Sequence, residues 1–195
     1  MSAGVAARFD PRAILASMER SGATYMIIGG LARVLRGADE ITTGVDICPI
    51  VTVPNLARLE RALDELEARR VDGGDLVVSE QSLSDNNVLE LTSPYGALKV
   101  VTAPAGVPRG FVALRAAATK ENLGHGLQPY VASAGDLAAM AAALHRDQDV
   151  TRLPQLRRIM ELEVDRGTIA PPTHARSQTP LVRRESSERT GRRRD

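Results

Sequence analysis

The sequence predicts one domain of mixed α/β (α+β) class, in which a mixed sheet is flanked by helices. Segments with helical spacing of apolar residues alternate with short apolar runs that are typical of buried strands. Two of these runs, 88–91 and 97–102, are separated by a Ser-Pro-Tyr-Gly segment at 93–96, which has the residues of a hairpin turn. Since the hairpin adds antiparallel pairing to the alternation, we expect a mixed sheet and not a regular strand–helix–strand repeat.

The first elements are a helix and a buried strand. Asp10-Pro11 begins the helix, because an acid caps the first amides and proline fits the first turn. The helical spacing ends near Gly22, a residue that commonly closes helices. Residues 25–28 (Tyr-Met-Ile-Ile) then form a short apolar strand.

A double glycine follows this strand. We expect Gly29-Gly30 to form a turn from which a second helix, 31–35, runs to a stop near Gly37. Residues 45–50 form the next strand. The later predicted elements are, in order, an amphipathic helix beginning at 54, a polar turn-rich segment 71–86, the hairpin strands 88–91 and 97–102, a helix 111–118, a strand 130–132, and helices 133–145 and 153–164.

Composition excludes several classes of protein. The 195 residues are 43% hydrophobic, which suits an ordinary core, and the net charge of +1 gives no general attraction to nucleic acid or membrane. One cysteine, Cys48, excludes an internal disulfide and a multi-cysteine zinc site. Because we find neither an apolar run of about 18 residues nor the apolar core of a signal peptide, we expect no membrane partner and a cytoplasmic protein.

The C-terminal segment differs from the rest of the chain. Seven arginines and three acids lie between 171 and 195, among prolines and small polar residues. Such a segment has too little apolar surface to offset its ordering entropy. We therefore predict a domain at 1–168 and a disordered, Arg-rich tail at 169–195, with an RNA- or partner-binding arm as the alternative.

Five short segments together carry a resemblance to a known family. They are 29–32 (Gly-Gly-Leu-Ala), 40–46, 95–100, 106–111 and 136–141. In this order and spacing they resemble the minimal nucleotidyltransferases of bacterial toxin–antitoxin systems, the AbiEii and MenT-like toxins. The resemblance covers about residues 10–160 and implies a polymerase-β-like nucleotidyltransferase fold.

The resemblance also implies a reaction, which is the Mg²⁺-dependent transfer of a nucleotide from a nucleoside triphosphate (NTP) to RNA such as tRNA. The family holds two Mg²⁺ ions with acids at i and i+2 of one strand and a third acid on a neighbouring strand. Here Gly44 stands at the first acid, Lys99 at the third, and Ala141 at a helix lysine that would contact phosphate. The resemblance therefore implies a depleted site with impaired transfer.

Site residues follow from the same resemblance. Asp46 is the catalytic residue and the remaining ligand of an incomplete Mg²⁺ site. Glycines let the backbone approach a triphosphate at a helix start. The expected nucleotide-binding residues are Gly29, Gly30, Thr42, Thr43, Lys99 and Arg146.

One hypothesis concerns the lysine. If the alignment holds, Lys99 faces Asp46 across adjacent strands, and its ammonium replaces the metal with an internal ion pair. That pair would leave no uncompensated buried acid.

Other charged residues remain open alternatives. Acids that could contribute are Asp39, Glu40, Asp85 and Glu90. Arg33 is a candidate phosphate contact, whereas Arg36, His125 and His145 are expected on the surface. Arg146 and Asp149 are spaced three apart, which suits a structural ion pair as well as a substrate contact.

Two functions are therefore in competition. The first is a toxin-like nucleotidyltransferase with weak activity. The second is a non-catalytic module that binds a nucleotide, RNA or a cognate toxin or antitoxin protein. An unrelated α/β domain, with a plain strand–helix turn and a structural Asp46, is a third possibility.

Overall fold

The computed structural model describes residues 9–107, 109–144 and 147–165. The helices are α1 (Pro11–Ser21), α2 (Gly29–Leu35), α3 (Val53–Glu65), α4 (Glu80–Asp85), α5 (Gly110–Leu114), α6 (Ala134–Leu144) and α7 (Asp147–Asp165). The strands are β1 (Tyr25–Ile28), β2 (Gly44–Pro49), β3 (Arg69–Arg70), β4 (Val88–Ser93), β5 (Gly96–Val101), β6 (Thr119–Lys120) and β7 (Tyr130–Val131).

The strands form one mixed sheet in the order β3-β4-β5-β2-β1-β7-β6. β2 runs parallel to β5 and antiparallel to β1, while β4 and β5 form the predicted hairpin. The predicted α/β class with a mixed sheet flanked by helices is confirmed.

Burial on the sheet strands alternates where one face meets the core. In β4 and β5 the core-facing residues are Leu89, Leu91, Leu98 and Val100, while the residues between them are open on the other face. α1 and α3 cover the core with apolar stripes, and the cap of α1 is as predicted, with Asp10 Oδ1 accepting from Ala13 N at 3.0 Å. The alternation leaves one face of the hairpin and of β2 for polar chemistry.

Several boundaries differ from the sequence prediction. Gly29 and Gly30 are the first two residues of α2 and not a turn before it. The predicted turn-rich segment contains α4, which a reciprocal pair of hydrogen bonds between Ser79 and Ser82 caps. α5 ends at Leu114, four residues before the predicted end.

The remaining differences concern short strands and the last helix. The two-residue strands β3 and β6 have no counterpart in the prediction. α7 begins at Asp147 and continues through Pro154, although an internal proline removes a helical hydrogen bond. The predicted tail at 169–195 lies outside the described residues. No helix of the described part of the chain is long and apolar enough to cross a membrane.

Candidate functional site

A cleft of about 730 Å³ opens on the polar face of the sheet. Its floor is formed by β2, β4 and β5, and its ends by the start of α2 and the loops at 40–43 and 103–105. α6 forms one side with Leu137, Met140, Ala141 and Leu144. The cleft therefore has a charged floor and an apolar wall.

Asp46 lies on the β2 side of this floor, against the start of α2. It is opposite Ile28 in the β1–β2 register, which places its side chain next to the following residue, Gly29. A Cβ built on Gly29 would lie 1.9 Å from Asp46 Oδ2, and the φ of Gly29 is +65°. Both the space and the backbone conformation at this position require glycine.

Gly30 has an equivalent relationship with Thr42. A Cβ on Gly30 would lie 2.8 Å from Thr42 Oγ1, and that hydroxyl donates to Gly44 O at 3.0 Å. Thr42 and the exposed Thr43 both line the cleft. The absence of a side chain therefore leaves room for Asp46 at Gly29 and for Thr42 at Gly30.

Three charged residues form a row across three neighbouring strands. Asp46 on β2 is in register with Lys99 on β5, and Lys99 is in register with Glu90 on β4. The predicted register of Lys99 and Asp46 is therefore confirmed. The ion-pair partner of Lys99 differs from the predicted Asp46, because Lys99 Nζ lies 2.5 Å from Glu90 Oε1. We refer to Asp46, Lys99 and Glu90 as the charged row.

Gly44 lies two residues before Asp46 on β2, on the same face of the sheet and opposite Ala97 on β5. A Cβ at Gly44 would lie 3.1 Å from Ala97 O and 3.2 Å from Ala97 Cβ. A side chain at Gly44 would therefore press on β5, and the small residue fits the narrow space between the strands.

The donor set does not fit a two-Mg²⁺ centre. Within residues 9–107, 109–144 and 147–165 there is no cluster of three or more His, Cys, Asp or Glu side chains that could hold a metal ion. In the charged row, an ammonium stands between the two carboxylates, and Mg²⁺ requires oxygen ligands. We therefore derive no catalytic step through Mg²⁺.

Glu40 is held at the edge of the cleft by two arginines. Arg33 Nε of α2 lies 2.7 Å from its Oε1, and Arg152 Nε of α7 lies 3.2 Å from its Oε2. All three side chains are at most about a quarter exposed. The sequence named Glu40 and Arg33 as alternatives but missed Arg152, whose contact joins elements more than 100 residues apart.

Other candidates from the sequence lie elsewhere. Asp39 and His125 do not line this cleft, and Asp85 accepts hydrogen bonds from Gln81 on the exposed side of α4. The Arg36 side chain is only 6% exposed, although a surface position was predicted. It pairs with Glu121 at 2.7 Å and donates to two carbonyl groups near the end of β7. It is a structural link between α2 and β7.

Of the residues that the sequence analysis considered at or after α6, only Ala141 has a described side chain. Ala141 lines the cleft from α6, where it is buried. Arg146 and His145 lie outside the described residues, and so does the side chain of Asp149.

No protein-family model matches the sequence, and neither does any curated protein with which it was compared. Among solved structures, the chain is similar to TM1012 of Thermotoga maritima, which is described as a proposed nucleotidyltransferase. That similarity has 15% identity and a TM-score of 0.42, and covers 80% of this chain and 88% of the other. The antibiotic-resistance factor ANT(2'')-Ia is similar at 13% identity with a TM-score of 0.44, covering 80% of this chain and 94% of its own.

Proposed function

We propose that this protein is a nucleotidyltransferase-fold protein of the toxin-like minimal type. Its cleft binds a nucleoside triphosphate, and its metal-dependent transfer is impaired. Asp46, Gly29, Gly30, Thr42, Thr43 and Lys99 form the nucleotide site, and the family resemblance adds Arg146 to the proposed set.

The charged row is the observation that carries this proposal. A lysine in register between two acids puts a positive charge where the family has a third metal ligand. An ammonium cannot coordinate Mg²⁺, but it attracts phosphate oxygens directly as a point charge. Lys99 therefore replaces part of the charge that a metal would supply, without activating the transfer.

The two sides of the cleft support a nucleotide as the ligand. Ligand sites typically combine an apolar lining with a few placed polar groups. Here the wall of Leu137, Met140 and Leu144 suits the face of a base. The charged floor and the glycine residues at the start of α2 suit the phosphate groups.

The biological setting is part of the proposal and rests on the family resemblance. A protein of this type is cytoplasmic, and its macromolecular ligands are tRNA or other RNA and a cognate toxin or antitoxin protein. Nucleotide binding can be measured without any of these partners.

Calorimetry with each NTP tests the proposal, first in metal-free buffer and then with excess Mg²⁺. We expect one NTP to bind with an affinity that Mg²⁺ changes by less than about threefold, because no two-metal clamp takes part. Inorganic tripolyphosphate is the control and should bind more weakly than that NTP. An affinity that exists only with Mg²⁺ would contradict the proposal, and so would the absence of NTP binding.

A further inference from the structure

We infer that Glu40 is an internal anion that occupies a binding position for a phosphoryl group. Arg33 and Arg152 form this position, which we call the anion seat. The inference deepens the proposed function and rests on it for the position of the ligand. Neither arginine is among the residues that the family resemblance assigns.

The geometry of the three side chains is that of an occupied anion site. Each oxygen of the Glu40 carboxylate meets a different guanidinium group: Oε1 accepts from Arg33 Nε at 2.7 Å, and Oε2 forms an ion pair with Arg152 Nε at 3.2 Å. Guanidinium groups bind carboxylates and phosphates with the same donor geometry. A phosphoryl group could therefore exchange for the carboxylate without rebuilding the site.

The arginine pair lies where the phosphates of a bound nucleotide are expected. A Cβ built on Gly30 would lie 3.7 Å from an Nη2 atom of Arg33, so the guanidinium adjoins the double glycine. Glu40, Arg33 and Arg152 all line the same cleft as the charged row. A triphosphate that reaches from the double glycine along the cleft would meet this pair.

Glu40 can leave the seat at a small cost in packing. It lies in the loop between α2 and β2, where its neighbours Asp39 and Ile41 are exposed, the latter by 95%. The Glu40 side chain is only 14% exposed, so its removal would take the shared carboxylate away from Arg33 and Arg152 in a poorly solvated position. An external polyanion would then be drawn to them, and Glu40 in the native chain lowers the affinity for it.

Calorimetry with inorganic tripolyphosphate in metal-free buffer tests the inference. Glu40→Gln keeps the size and one acceptor of the side chain but removes the charge. We expect it to bind tripolyphosphate at least tenfold more tightly than the wild-type protein. The matched control is Asp39→Asn, which makes the same charge change one residue away and outside the cleft, and should change the affinity by less than threefold.

A second substitution separates the anion seat from a general charge effect. In Glu40→Gln/Arg33→Gln the gain should disappear. The inference is overturned if Glu40→Gln binds no more tightly than wild type, or if Asp39→Asn produces the same gain. If Glu40→Gln does not fold, Arg152→Gln is measured instead. A loss of tripolyphosphate affinity then supports the inference, and unchanged affinity overturns it.

Failure of the proposed function would look different. If Glu40→Gln gains affinity for tripolyphosphate but no NTP binds better than tripolyphosphate alone, the anion seat stands and the nucleotide proposal fails. If wild-type protein prefers an NTP and Glu40→Gln changes nothing, the nucleotide proposal stands and the inference fails.

Discussion

Lys99 and Glu90 face each other across the β4–β5 hairpin, with Nζ and Oε1 2.5 Å apart. The two side chains are 45% and 53% exposed, so the pair contributes about 0–1 kcal/mol to stability. A ligand can therefore compete with Glu90 for the ammonium at little cost.

Replacement of Lys99 should weaken nucleotide binding without unfolding the protein. Lys99→Met keeps the apolar stem but removes the charge, and we expect a loss of about tenfold in NTP affinity, which corresponds to about 1.4 kcal/mol. The matched control is Lys120→Met at the second of the chain's two lysines, which lies over the Tyr130 ring outside the cleft. Equal losses in both variants, measured by calorimetry, would show that Lys99 has no specific role.

Gly29 should tolerate no side chain. Alanine at this position combines a positive φ with a collision against the Asp46 carboxylate, so Gly29→Ala should lower the free energy of unfolding by about 3 kcal/mol. Gly37→Ala has a positive φ of +99° but no atom within 4 Å of the new Cβ, and should cost about 1 kcal/mol. Urea denaturation measures both. If Gly29→Ala is no less stable than Gly37→Ala, Asp46 is not seated as described.

Two substitutions should restore metal binding if the charged row is a degraded clamp. Gly44→Asp/Lys99→Asp places acids on the face of Asp46, and we expect Mg²⁺ binding by calorimetry where the wild type shows none. The control Gly44→Asn/Lys99→Asn has the same size without the charge. Because the Cβ at Gly44 would lie 3.1 Å from Ala97 O, a lower melting temperature is expected in both. If the folded double-Asp variant takes up no Mg²⁺, the alignment of these strands with the family is wrong.

Glu163 should make the protein less stable as the pH rises. Burial raises the pKa of Glu163, Glu121 raises it further, and Arg36 opposes them. A carboxyl with a higher pKa in the folded state binds protons more readily when folded, so stability falls as the pH rises from about 4.3 through the folded-state pKa. Glu163→Gln should therefore raise the melting temperature by about 2 °C at pH 8 and leave it unchanged at pH 4.

Glu161→Gln is the control for this effect, since that exposed residue of α7 pairs only with the nearby Arg158 among the described contacts. A gain at pH 8 that equals the gain at pH 4 would show that titration of Glu163 is not the cause.

Cys48 should be unreactive in the folded protein. It is fully buried on β2, and burial raises the pKa of its thiol to about 12, so the nucleophilic thiolate is rare at neutral pH. We expect no reaction with a disulfide reagent at pH 8 over an hour, and complete reaction in denaturant. Labelling of the native protein at the denatured rate would mean that β2 opens readily.

The sequence predicted those parts of the fold that repeat a pattern over several residues. The hairpin strands, the apolar β1 and the amphipathic α3 have such patterns, whereas β3 and β6 are two residues long and have none. The pairing of Lys99 with Glu90 could have been predicted, because a turn at 93–96 fixes position 90 opposite 99. The Glu40–Arg152 contact could not, since it depends on how α7 packs beside the cleft.

A transfer assay with each α-labelled NTP, Mg²⁺ and total tRNA tests most directly whether nucleotide transfer is impaired. We expect the wild-type protein to bind an NTP but to place no label on RNA or on itself. Label on RNA that disappears in Asp46→Ala would contradict this expectation, and would show that Asp46 still supports catalysis.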